Sequence, residues 1–201
     1  MTSKSLRIVL LAGAAVSICA FNKGATTYGN NTATVETKTT SATTGGDPVS
    51  SAESAAPAAI AHDAAVVTFG AAGAMTTVRK GTNGWTCMPD APDTPGPDPM
   101  CFDANAGKWI DAWVHHKPPP AGTAGVMYML EGGTDASNTD PYAKQPTAEN
   151  NWIKTGPHIM VVGSKEILAG HPSSAKPDTS APYVMWPGTP YAHLMIPVGK
   201  S

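Results

Sequence analysis

Residues 183–198 read YVMWPGTPYAHLMIPV, two apolar runs split by Pro187-Gly188-Thr189-Pro190. Tyr183–Trp186 and Tyr191–Val198 are rich in aromatic, β-branched and long aliphatic side chains and are too short for helices. Each is therefore expected as a strand, and the Pro/Gly stretch between them as a turn. Outward from this segment, Ala65–Gly70 (AVVTFG), Met75–Lys80 (MTTVRK), Gly125–Leu130 (GVMYML) and His158–Gly163 (HIMVVG) are further strand candidates separated by Gly, Pro and Asn loops. One helical pattern stands among them: Trp109, Ile110, Trp113 and Val114 recur at helical spacing within Gly107–His116. Asp103 is placed to cap its start, and Pro118-Pro119-Pro120 stop it. Several strands with one or two helices, and no strict βαβ alternation, predict an α+β fold built on a mostly antiparallel sheet.

The chain has 201 residues with 20 Gly and 19 Pro, so loops are abundant, and its formal net charge of −2 lacks the basic excess of a nucleic-acid binder. Lys4 and Arg7 precede the apolar run Ile8–Ile18 and the small residue Ala20. That order is the pattern of an export signal, and the run is too short to cross a bilayer. Cys19 follows the bulky Ile18 where a lipid-bearing cysteine would follow a small residue, so cleavage near Ala20 is preferred to lipid anchoring. No later stretch is apolar enough for a transmembrane segment, and a periplasmic or secreted location follows. Loss of residues 1–20 removes Lys4 and Arg7 and takes the formal charge from −2 to −4.

Residues 21–61 are dominated by Ala, Ser, Thr and Gly, with Tyr28 the one aromatic between Asn22 and Ile60. They are expected to form a disordered tether that contributes nothing to folding. Asn30-Asn31-Thr32 fits the N-glycosylation pattern but is discounted, since the signal and the Thr-rich tether have a bacterial character. All five Trp lie at positions 85, 109, 113, 152 and 186, which assigns the core to a single globular domain at 62–201. With Cys19 removed, Cys87 and Cys101 remain. An even pair in an oxidising compartment predicts a disulfide, because a lone pair lacks the other ligands of a zinc site.

The blocks Asn83-Gly84-Trp85-Thr86-Cys87-Met88-Pro89, Asp98-Pro99-Met100-Cys101 and Tyr183–Met195 resemble those of a family of exported bacterial proteins of uncharacterised activity, over about residues 65–198. The resemblance implies export and a single disulfide-containing domain, and it assigns no catalytic or binding residue.

The residues that carry chemistry leave several classes open. Asp90, Asp93, Asp98 and Asp103 could gather calcium, though Asp-Pro and Pro-Gly pairs are ordinary turn chemistry. Glu131–Asp140 (EGGTDASNTD) is a polar loop in which turn formation is favoured over a ligand role. Ser173-Ser174-Ala175-Lys176 matches SxxK but lies in a Pro-flanked loop, and there is neither GxSxG nor a nucleotide-binding glycine fingerprint. His115-His116 at the helix end is explained by the helix dipole. Most specific is a doubled His-x-Met, His158-Ile159-Met160 and His193-Leu194-Met195. Residues two apart on a strand share a face, so neighbouring strands would bring imidazoles and thioethers together as a copper site; the alternative is plain core packing. The leading expectation is a non-enzymatic binding or structural module of the cell envelope with no cofactor and no nucleic-acid partner. The alternatives are a periplasmic copper-binding protein using His158, Met160, His193 and Met195, and a small hydrolase using Glu131, Asp135 or His193.

Intact-mass measurement of exported protein should show cleavage near Ala20. Retention of Met1–Ala20 would refute the export signal, and a lipid mass on Cys19 would refute its mode of cleavage.

Overall fold

The computed structural model describes residues 46–70 and 75–199. In chain order its elements are α1 (Pro48–Glu53), α2 (Ala58–Ala61), β1 (Ala65–Phe69), β2 (Met75–Arg79), β3 (Thr86–Met88), β4 (Met100–Phe102), α3 (Ala104–Val114), β5 (Gly125–Met129), β6 (Ala136–Ser137), β7 (Trp152–Ile153), β8 (His158–Val162), β9 (Tyr183–Met185) and β10 (His193–Pro197), with a 3₁₀ turn at Glu166–Leu168. Eight strands join one sheet in the order β2-β1-β3-β4-β5-β8-β10-β9, while β6 and β7 pair separately. Every neighbouring pair in the large sheet is antiparallel except β1 with β3. The fold is thus α+β on a mostly antiparallel sheet, made mixed by that one parallel pair.

The central strands obey the period-2 rule. In β5 and β8 alternate residues are buried, so Gly125, Met127 and Met129, and likewise His158, Met160 and Val162, share one face. Helix α3 covers that face with Ala106 and Trp109. Asp103 sets its position: Oδ1 accepts from the backbone N–H of Asn105 (3.0 Å) and Ala106 (2.8 Å), and Oδ2 accepts from Val126 N–H in β5 (3.0 Å). One carboxylate therefore caps the helix and ties it to the sheet. Gly125 permits the close approach, because a Cβ there would overlap the backbone of Ala106.

The opposite face carries the disulfide. Cys87 and Cys101 sit directly across β3 and β4 with Cα atoms 4.0 Å apart, both fully buried. Against them pack Ala52 of α1, Ala61 of α2, and Ala55 and Ala56 from the turn between the two helices. This corrects the expected boundaries. Helices α1 and α2, with the turn between them, belong to the folded domain, which carries three helices instead of one or two. An Ala/Ser-rich composition reads as a solvated tether, yet alanine is the best helix former, and its small side chain fits a close layer over a disulfide. Asp47 caps α1 through Ser50 N–H (3.1 Å). Arg79 donates to the carbonyls of Ala61 (2.7 Å) and Ala64 (3.0 Å) and pairs with Glu53, whose carboxyl it holds below the usual range. The expected signal at 1–20 and residues 21–45 of the expected tether lie outside the described residues. Among the described residues no helix is long and apolar enough to cross a membrane.

Two stability outcomes follow. Cys101→Ser should lower stability by about 3 kcal/mol through loss of loop closure. A chain beginning at His62 should melt at least ~10 °C below one beginning at Gly46, since it strips the alanine layer from the disulfide face. Equal melting temperatures for the two chains would show that α1 and α2 contribute nothing.

Candidate functional site

Strands β8 and β10 are direct antiparallel neighbours, with Met160 opposite Met195 and His158 opposite Pro197. One step beyond the paired residues, the same register sets His193 across from Val162. Both histidines and both methionines therefore lie on the face covered by α3, with the methionine pair in the middle and one imidazole toward each end. The flanking strands extend the row: Met127 of β5 is opposite Met160, Met129 is opposite His158, Tyr183 of β9 is opposite Met195, and Met185 is opposite His193. The result is a line of buried thioethers across three strands, at Met127 (2% exposed), Met160 (8%) and Met195 (2%).

The two histidines differ in surroundings. His158 donates from Nδ1 to the Gly156 carbonyl at 2.7 Å, which leaves the lone pair on Nε2, an atom with no hydrogen-bond partner among the described residues. Burial lowers its pKa, partly offset by the Gly156 bond, so the ring is neutral near pH 7. His158 lines a cavity of about 350 Å³ together with Met195, Tyr183, Lys154, Thr155 and Ser180. Gly133 leaves room for its ring, because a Cβ there would fall 2.9 Å from Thr155 Oγ1 and 3.3 Å from His158 Cε1. Burial also raises the pKa of the Tyr183 phenol, which stays neutral.

His193 is enclosed. Its Nδ1 donates to the Tyr191 carbonyl at 2.9 Å, and its ring meets Trp109 and Trp186 edge-on at centroid distances of 5.4 and 4.9 Å. Burial drives its pKa down to about 4, against the Tyr191 bond and with a further contribution from His158. Its Nε2 is buried without a partner, as is Nε1 of Trp109. Trp186 is held at φ 53° by Asn138 and Ser137, whose carbonyls accept from its backbone N–H (2.9 Å) and its indole N–H (2.8 Å). Ser137 and Asn138 belong to the Glu131–Asp140 stretch. They are fully buried, so this loop serves as an internal brace more than as a solvated turn.

The other candidates are engaged elsewhere. Asp90 Oδ1 accepts from Asp98 N–H (2.8 Å) and Asp98 Oδ1 from Ala91 N–H (2.9 Å), which is turn chemistry, while Asp93 is exposed. Among the described residues no hydrogen bond or ion pair joins Glu131 or Asp135 to His193. His115 caps its own helix through the Asp111 carbonyl (2.8 Å), and His116 stacks on Tyr142 at 4.0 Å. Ser174 Oγ bonds the backbone of Lys176. Among the described residues no group of three or more His, Cys, Asp or Glu is placed to hold a metal ion. Residues that the His-x-Met pattern did not reveal are Met127, Tyr183 and Lys154. The alternation Met127-x-Met129 carries the same period-2 signal and could have pointed to the first. Comparison with known proteins finds no matching family model, no matching curated protein and no matching solved structure.

The buried neutral histidines make stability acid-sensitive. Unfolded histidine takes up its proton near pH 6.5, whereas folded His193 does so only near 4. Stability should therefore be complete above pH 6.5 and decline as pH falls from 6.5 towards 4, by about 3 kcal/mol for this residue. Denaturant titrations at pH 7.5 and 4.5 should show the slope, and His193→Gln should remove its larger part. An unchanged slope in that variant would contradict the assignment.

Proposed function

We propose that this chain is an extracytoplasmic binding module, with its ligand site in the cavity walled by the start of β8, the end of β10 and the Tyr183 end of β9. The observation that carries it is the neutral His158 ring, tautomer set by Gly156, with a partnerless Nε2 on the wall of a cavity of about 350 Å³. A mostly apolar hollow with a few convergent polar groups is the usual form of a small-ligand site. Here those groups are an imidazole, a phenol and the ammonium of Lys154.

Binding fits the geometry better than catalysis. The cavity hydroxyls are committed to the fold: Ser180 Oγ donates to Asp178 at 2.6 Å, and Thr155 Oγ1 donates to the Gly133 carbonyl at 3.0 Å. Neither is bonded to His158, so no nucleophile is coupled to a base. The buried disulfide suits an oxidising compartment, in keeping with export.

The full chain, purified from the extracytoplasmic fraction of an expressing bacterium, should carry a non-covalent ion or small molecule visible as excess mass in native mass spectrometry. Ser180→Trp, which puts an indole at the exposed lip of the cavity, should lose it. Bare-chain masses for both proteins would overturn the binding reading. So would turnover of an ester or amide substrate that disappears in His158→Ala.

A further inference from the structure

We propose that the ligand of this module is a small hydroxylated monocarboxylic acid, its hydroxyl bound between Nε2 of His158 and the phenol of Tyr183 and its carboxylate at the ammonium of Lys154. This ligand class rests on the binding reading above and deepens it. The strand register places the two buried groups on either side of β10. His158 of β8 is opposite Pro197, and Tyr183 of β9 is opposite Met195, two residues earlier on β10. All therefore share one face of the sheet, and strands two places apart are about 10 Å from each other. The imidazole and the phenol thus flank the strand between them, and with Met195 and Pro197 they line one cavity.

The polar groups differ in depth and in the partner each requires. His158 (4% exposed) and Tyr183 (2%) lie at the floor with Met195, whereas Lys154 and Ser180 are exposed at the mouth. Nδ1 of His158 donates to the Gly156 carbonyl, so Nε2 presents a lone pair and requires a donor. Among the described residues the Tyr183 hydroxyl has no hydrogen-bond partner, and burial keeps it protonated, so it requires an acceptor. A ligand hydroxyl answers both: its proton goes to Nε2 and its oxygen accepts from Tyr183. A carboxylate at the floor would set its charge against the Nε2 lone pair, and an ammonium there would lose its hydration without a counter-charge. An uncharged group that donates and accepts leaves neither buried atom unmatched.

The mouth selects the other end of the ligand. Lys154 supplies the one formal charge among the described lining residues, and no carboxylate is among them. Asp178 precedes the lining pair Thr179-Ser180, but its Oδ1 accepts from both the hydroxyl (2.6 Å) and the N–H (2.9 Å) of Ser180. A single ammonium on a flexible stem matches a singly charged carboxylate better than a phosphate monoester, which carries nearly two charges. Between floor and mouth, Pro157, Pro197, Met195 and the Tyr183 ring offer apolar surface to a hydrocarbon spacer. At about 350 Å³ the cavity stands near the lower end of the about 300–1,000 Å³ range of ligand pockets, so the acid is small.

Calorimetric titration of the full chain, dialysed free of co-purified material, with γ-hydroxybutyrate, ω-hydroxyhexanoate and para-hydroxyphenylpropionate tests the class across spacer lengths. At least one should bind, and at least ~10-fold more tightly than both its analogue lacking the hydroxyl and its methyl ester. Tyr183→Phe removes a single oxygen; it should cut the preference for the hydroxyl to within ~3-fold while the deoxy acid binds as before. Lys154→Gln, at the exposed mouth, should bring the free acid and its methyl ester to within ~3-fold of each other. In ¹³C-methionine-labelled wild type the methyl resonance of Met195 should move on binding, while that of exposed Met75 stays fixed. Binding of none of the three acids, or of the deoxy acids equally well, overturns the ligand class. An undiminished hydroxyl preference in Tyr183→Phe overturns the placement. If native mass spectrometry finds a ligand that Ser180→Trp loses but none of the acids binds, the class falls and the binding module stands. If it finds no ligand and no acid binds, both fall.

Discussion

The antiparallel register of β8 between β5 and β10 is the constraint on which the other features of the covered face depend. Because side chains alternate along a strand, a slip of one residue in either pairing would carry His158, Met160 and Val162 to the opposite face. Five consecutive pairs with β5 and four with β10 hold it in place. The same register aligns Met127, Met160, Met195 and Tyr183 in one row across four strands. The core of this protein is thus unusual in chemistry while ordinary in geometry: its apolar centre is made largely of thioethers, with an imidazole toward each end.

Each face of the sheet is closed by a different device. On the methionine face, Asp103 spends one oxygen on the α3 N-terminus and the other on Val126, so the helix cannot shift along β5 without breaking the bond to Val126. Trp109 then reaches over His193, and Trp186, fastened by the Ser137 and Asn138 carbonyls, meets the ring from another side. On the other face the cross-strand disulfide is fully buried, and Ala52, Ala55, Ala56 and Ala61 of the α1–α2 segment form a layer of small side chains over it. Arg79 completes that layer by donating hydrogen bonds to the carbonyls of Ala61 and Ala64.

This division has a chemical consequence. On the covered face His158 and Met195 border the cavity, and burial disfavours the imidazolium of both histidines. The polar residues at the cavity, Lys154, Thr155 and Ser180, lie on loops and not on the strands, so the entrance and the interior are built from separate parts of the chain.

Local pattern was sufficient for the strands at Ala65, Met75, Gly125, His158, Tyr183 and His193, for the Asp103 cap and for the Cys87–Cys101 bond. Each of these follows from side-chain period, a short capping residue or cysteine count, all of which act over a few residues or need no geometry. Strands β3 and β4 escaped the sequence pattern because three residues are too few to show a period, and their pairing across Cys87 and Cys101 is a matter of tertiary structure. Helices α1 and α2 escaped for a related reason: an alanine-rich stretch buries too little surface alone to stay folded, and only the disulfide face gives it a partner. The sequence by itself determined that the two His-x-Met pairs each present both residues on one side of a strand, since that follows from the two-residue repeat alone. Only the tertiary structure decided that those sides coincide, that Met127 joins them, and that one histidine borders a cavity while the other is walled in. Strand order and the helix laid over the sheet are set by contacts between residues far apart in the chain, and no local pattern encodes them.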